Sequence, residues 1–179
     1  MPSEVSELKE TLYRVMRERD LYKNTLDHIS TSIPDMMWIK DKEGKYLYAN
    51  QQLINGLLFT DTLDNTLGRV DVDIAKKAKA KFGDENHTFG EVCGNSDVVV
   101  LQHQKPMHFI EHGLVNGEEL VLDVYKNVIR DHNGNVIGTC GTGRDITWQN
   151  TKLKDVMASC KDKSAKEKLA WIIGKDKYE

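Results

Sequence analysis

The sequence has little cysteine, no basic excess and no long apolar run, and each absence excludes something. Three cysteines, Cys93, Cys140 and Cys160, stand far apart. An odd number without a CxxC pair argues for reduced thiols, against a disulfide framework and against a zinc site. The net charge of -3 offers no positively charged face for nucleic acid. No apolar run approaches the roughly 20 residues of a membrane span, and the start at Met1-Pro2-Ser3 lacks the basic and apolar regions of a signal peptide. These features predict a cytoplasmic chain without a membrane segment. Catalytic signatures are missing as well: there is no GxxxxGK, HExxH or GxSxG.

What the chain has is 179 residues, 39% hydrophobic and 30% charged, enough for one ordinary core and a wet surface. Residues 3–30 carry apolar side chains in alternating three- and four-residue steps: Val5, Leu8, Leu12, Val15, Tyr22, Leu26 and Ile29. Arg19 interrupts this heptad at one core position. The pattern predicts a helix that pairs with a second copy as a coiled coil, with Leu8, Leu12, Val15, Tyr22, Leu26 and Ile29 at the dimer interface. The other solution is one amphipathic helix folded back on its own sheet. Ser3 is a candidate N-cap, and Ile33-Pro34 ends the helix.

Strands are predicted at about 36–40 and 46–49 around Asp41-Lys42-Glu43-Gly44, where Asp bonds to nearby backbone and Gly supplies positive φ. Asn50 caps a helix over Gln51–Leu58, and Asp71 or Asp73 caps another running to about Lys81. A further helix spans about Glu91–Gln104 and stops at Lys105-Pro106. Three strands follow, at about 107–115, 119–129 and 135–143, with hairpin signals at Asn116-Gly117 and Asp131-His132-Asn133-Gly134. Two strands, several helices and three strands lack βαβ alternation, so the class is α+β with a five-stranded antiparallel sheet and helices on one face. The tail after Trp148 is helical again, with a capping box at Ser164-Ala165-Lys166-Glu167 opening a second tail helix through Ile173.

Two segments carry a family resemblance. The first is Pro34 to Asn50, where Ala49-Asn50 leads straight into a helix. The second is Val128 to Thr147, closed by Gly143-Arg144-Asp145-Ile146-Thr147. Together they resemble the PAS sensory domain, over about Asp27 to Thr147, in the form found in bacteria ahead of histidine kinases and diguanylate cyclases. The resemblance implies strand order 2-1-5-4-3 and three parts: a signalling helix (1–30), the PAS domain (31–147) and a helical tail (148–179). It also implies a non-enzymatic homodimer in a two-component or related pathway. Such a domain binds a small molecule and passes strain through Asp145 and Thr147 to a downstream module in cis or trans. The residues matching the family's inner sheet and helix are Trp38, Tyr48, Phe89, Cys93, Asp97, Val100, Phe109 and Tyr125. Lys126, on a strand with two mixed faces, either reaches solvent by its stem or pairs with Glu111 or Asp123, or else it or Arg144 stands beside an anionic group of the ligand.

No cofactor or metal is expected. His108 and His112 would share a strand face about 13 Å apart, too far for one ion. Haem relatives carry a histidine where this chain has Cys93, and flavin relatives have GxNCRFLQ where it has Glu91-Val92-Cys93-Gly94-Asn95. The alternatives to a ligand sensor are a ligand-free dimerisation module, its pocket filled by its own side chains, and a haem redox or gas sensor with His87 as the next candidate ligand.

Overall fold

A computed structural model describes residues 4–165, with residues 91 and 92 described by their backbone alone. The Ser3 cap and the tail helix from 166 onward lie outside the described residues; the chain is helical at 163–165. The described chain forms two units, one up to Pro34 and one from Asp35 onward.

The first unit is the helix α1 (Glu4–Ser32), with Glu4 and Glu7 in its first turn, where acidic groups favour the positive helix end. Its apolar stripe faces outward: Leu8, Leu12, Val15, Tyr22 and Ile29 are all exposed.

The second unit is built on strands β1 (Met36–Asp41), β2 (Tyr46–Ala49), β3 (Met107–Val115), β4 (Glu118–Arg130) and β5 (Val136–Asp145). They form one antiparallel sheet in the order β2-β1-β5-β4-β3, as expected. Its tight turns place Gly44, Gly117 and Gly134 at φ of 77°, 82° and 83°, values that L side chains avoid. Between β2 and β3 run α2 (Gln51–Leu53), a π-helical turn (Ile54–Leu58), α3 (Leu63–Thr66), α4 (Asp71–Phe82) and α5 (Phe89–His103). After β5 comes α6 (Thr147–Ser159).

Asn50 caps α2 as predicted, accepting from Leu53 N–H at 3.1 Å. The helix expected over Gln51–Leu58 is a single α-turn that widens into the π-turn, ended by Phe59 at φ 52°. Neither Asp71 nor Asp73 caps α4; Val70 holds the cap position. Asp71 turns inward instead, and its partners there are the substance of the site.

Apolar side chains from both layers close the core: Trp38, Leu120, Leu122 and Val124 from the sheet meet Leu53, Ile54, Leu57, Ile74 and Phe89. Each fully buried side chain of that size contributes about 1.5–3 kcal/mol. Three charged strand residues, Lys40, Glu111 and Lys126, are buried on the same inner face.

Candidate functional site

Strand alternation explains why these charges are inside. In β1, Met36, Trp38 and Lys40 point one way, and all three are buried. In β4, Leu122, Val124 and Lys126 do the same. Helices α4 and α5 lower Asp71 and Asp97 towards them.

Lys40 Nζ lies 2.5 Å from Asp71 Oδ2 and 2.6 Å from Asp97 Oδ2. Lys126 Nζ lies 2.9 Å from Asp97 Oδ1 and 3.3 Å from Glu111 Oε1. Neutral donors complete the network. Tyr46 donates its hydroxyl to Asp71 Oδ1 at 2.6 Å, and Ser96 donates to Glu111 Oε1 at 2.5 Å. Cys93 Sγ points to Glu111 Oε2 at 3.5 Å. Lys126 also donates to Ser96 Oγ at 2.7 Å and to the Cys93 carbonyl at 3.1 Å.

The electrostatics follow from this geometry. Burial works against the Lys40 charge, but Asp71 and Asp97 outweigh it, so its pKa stands above the ordinary lysine value. Lys126 behaves likewise: burial opposes the charge, while Glu111 and Asp97 restore it and lift the pKa. Burial would raise Asp97, yet Lys40 and Lys126 hold it below the usual carboxylate range. Burial pushes the Tyr46 hydroxyl and the Cys93 thiol up, helped by Asp71 and Glu111 respectively. The cluster is therefore two ammonium groups against three carboxylates. Among the described residues, both buried lysines are matched by carboxylates.

Of the expected site residues, Trp38, Phe89, Cys93, Asp97, Val100 and Lys126 are buried here, and Phe109 packs partly buried against the core. Two tyrosines are not where the resemblance put them. Tyr125 is 58% exposed on the opposite sheet face, stacked on His108 with centroids 4.5 Å apart. The same alternation that buries Val124 and Lys126 turns it outward. Tyr48 pairs with Ile39 rather than with an inner residue, because a bulge at Ile39/Lys40 shifts the register. Tyr46, paired with Lys40, is the inner tyrosine. Lys126 is no free counter-charge, since Asp97 and Glu111 already match it. Arg144 is outside altogether, 63% exposed and bidentate to Asp35 with both contacts at 2.9 Å. Asp123 bonds His108 and not Lys126.

At the sheet exit, Asp145 Oδ1 accepts from the Thr147 N–H at 2.8 Å, and Thr147 Oγ1 accepts from Val121 N–H at 3.0 Å. Thr147 thus ties the first turn of α6 to β4.

Sequence reasoning missed Lys40, Tyr46, Asp71 and Ser96 as site residues; it named Glu111 as an ion-pair partner for Lys126, and the two lie 3.3 Å apart. A signal existed for Lys40, which occupies the same phase in β1 as Lys126 does in β4.

A cavity of about 10 Å³ lies among Leu57, Leu58, Asp71, His87 and Phe89, room for about one water. His87 is 2% exposed, and its Nδ1 has no hydrogen-bond partner. Burial, then Lys79, lowers its pKa. Among the described residues, no group of three or more His, Cys, Asp or Glu side chains is placed to hold a metal ion. None of the described helices is long and apolar enough to cross a membrane.

A family model described as the PAS fold matches residues 30–150. No curated protein matches the chain. Among solved structures, the phage VqmA–DPO complex is similar at 21% identity and TM-score 0.56, over 80% of this chain and 62% of that one. VqmA bound to DPO gives 21% and 0.53, over 73% and 61%. The Vibrio cholera VqmA–ligand–DNA complex gives 22% and 0.50, over 68% and 51%. The chain thus spans 51–62% of the VqmA chains it matches.

Proposed function

The chain belongs to the PAS family, and from that premise we propose that it is a non-enzymatic sensory module that binds a small molecule between its sheet and α5. The observation that carries this reading is the buried network of Lys40, Asp71, Asp97, Lys126 and Glu111. A closed core gains nothing from such a cluster. Well-packed apolar residues in place of a buried ion-pair group are often neutral or stabilising by about 1–4 kcal/mol. Five buried charges joining β1, β3, β4, α4 and α5 make sense where the interior must respond to an occupant. The VqmA–DPO complexes, of the same fold, support the reading.

A ligand acts by binding two states of the domain unequally. In our reading the second state differs at Asp145 and Thr147, where α6 leaves the sheet, and the change passes to an output module, a histidine kinase or diguanylate cyclase, in cis or trans. The outward stripe on α1 supports a homodimer through that helix, since an apolar surface of that length favours a partner. DNA contact is no part of the proposal: VqmA is found with DNA, but this chain has a net charge of -3.

The test is a thermal-shift screen of organic acids, amino acids, nucleotides and neutral metabolites. A compound at a hundred times its dissociation constant adds about 2.7 kcal/mol, several degrees in melting temperature. If no compound moves the transition by more than about a degree, the second reading stands instead. That reading is a ligand-free interaction module, and the observation in its favour is the small size of the cavity, about 10 Å³.

A further inference from the structure

Trp38 lies over a bare stretch of β5. A Cβ added at Gly141 would fall 2.4 Å from the indole Cζ2, and one at Gly143 would fall 3.4 Å from Cζ3. The two glycines therefore leave a recess of ring size on the inner sheet face, and the indole fills it. The fit is close in shape but incomplete in hydrogen bonds. Trp38 is 6% exposed, yet its Nε1–H has no acceptor. Thr139 precedes Gly141 on the same face of β5 and pairs with Lys40; it is 1% exposed, and its Oγ1 has no partner. Buried donors and acceptors are almost always satisfied. Two open ones beside one recess point to an occupant other than the indole.

Building on the sensor reading above, we propose that Trp38 is a displaceable plug standing in the ligand's place. The ligand is a planar, uncharged aromatic ring system of about indole size. It takes the recess over Gly141 and Gly143 and completes the hydrogen bond of Thr139.

The neighbouring charges fix the class. Lys126 Nζ stands 5.4 Å from the centre of the Trp38 ring, so a π-face is favoured there and a cation is repelled. An anion gains nothing, because Asp97 and Glu111 already match Lys126 and would repel it. A neutral ring satisfies both conditions. This replaces the anionic ligand expected from Lys126 alone.

The probe is indole, with benzoate and benzylammonium as charged counterparts. By calorimetry, Trp38→Ala, folded by circular dichroism, should bind indole at least tenfold more tightly than the wild-type chain, since no plug has to move. Either charged compound should bind at least tenfold more weakly than indole. In wild-type chain labelled with 5-fluorotryptophan, saturating indole should shift the Trp38 fluorine resonance, assigned by its loss in the variant. If Trp38→Ala does not fold, Trp38→Leu is read by the same criteria. The inference is overturned if the variant binds indole no better than wild type, if benzoate binds as tightly, or if the Trp38 resonance stays in place. A metabolite from the thermal screen that binds without moving that resonance would keep the sensor reading and end this one.

Discussion

Lys40 and Lys126, on strands separated by β5, share one carboxylate: Asp97 offers Oδ2 to the first at 2.6 Å and Oδ1 to the second at 2.9 Å. Asp97 comes from α5, so a single side chain fastens that helix to two strands.

Removing this carboxylate takes one acceptor from each buried ammonium group, leaving Lys40 with Asp71 and Lys126 with Glu111. Asp97→Asn should cost about 1–3 kcal/mol, the usual penalty when a buried donor loses an acceptor. Urea denaturation measures it, and a loss under about 1 kcal/mol would mean that the pairs are weak or well hydrated.

Acid should loosen the domain in two steps. His87 is held below its ordinary pKa of 6.5, so the unfolded chain binds the proton first and stability falls as pH drops beneath that value. Asp97 is held below 3.8; its contribution is present above that pH and is lost as pH falls through the depressed value. Denaturation at pH 7.5 and pH 5.5 should show a loss in the wild-type chain that shrinks in His87→Phe. An equal loss in both would assign the effect to other histidines.

The two glycines Gly94 and Gly141 should respond oppositely to alanine. A Cβ at Gly94 on α5 meets nothing within 4 Å, so Gly94→Ala should gain about 0.5–1 kcal/mol. Gly141→Ala pushes into the Trp38 ring and should cost about 1–3 kcal/mol. Melting temperatures that move in the same direction would contradict the packing described for Trp38.

Dimerisation through α1 predicts that Leu12→Asp combined with Leu26→Asp sediments as a monomer in analytical ultracentrifugation. A variant that remains dimeric would place the contact elsewhere.

Thr147→Val removes the hydroxyl that accepts from Val121 N–H. The expected cost is about 1 kcal/mol, with faster amide exchange in α6 and little change in β1. Uniform acceleration across the sheet would argue that Thr147 is part of the global core.

The strands were legible because their turns announce themselves: Asp41 to Gly44, Asn116-Gly117 and Asp131 to Gly134 each need residues that tolerate unusual φ. The interior was harder. The bulge at Ile39/Lys40 has no composition signal; without it Tyr46 and Tyr48 would share a face, and with it Tyr46 is inside and Tyr48 is not. Asp71 looked like a cap because acidic residues suit a helix start, and only the position of Lys40 shows why it turns inward. Tyr125 was misplaced by following family position over the alternation that buries Val124 and Lys126. Glu111 was legible as a partner of Lys126 from the β3–β4 hairpin, but Ser96 meets Lys126 only once α5 is laid over the sheet, a long-range arrangement that local pattern does not encode.

The buried Cys93 thiol, with its raised pKa, gives the domain a built-in clock. Alkylating reagents need a solvated thiolate, so Cys93 is modified only in the moments when α5 lifts from the sheet. Its rate of carbamidomethylation, followed by mass spectrometry, counts those openings without any introduced label. Whatever seals the interior lengthens the interval between them.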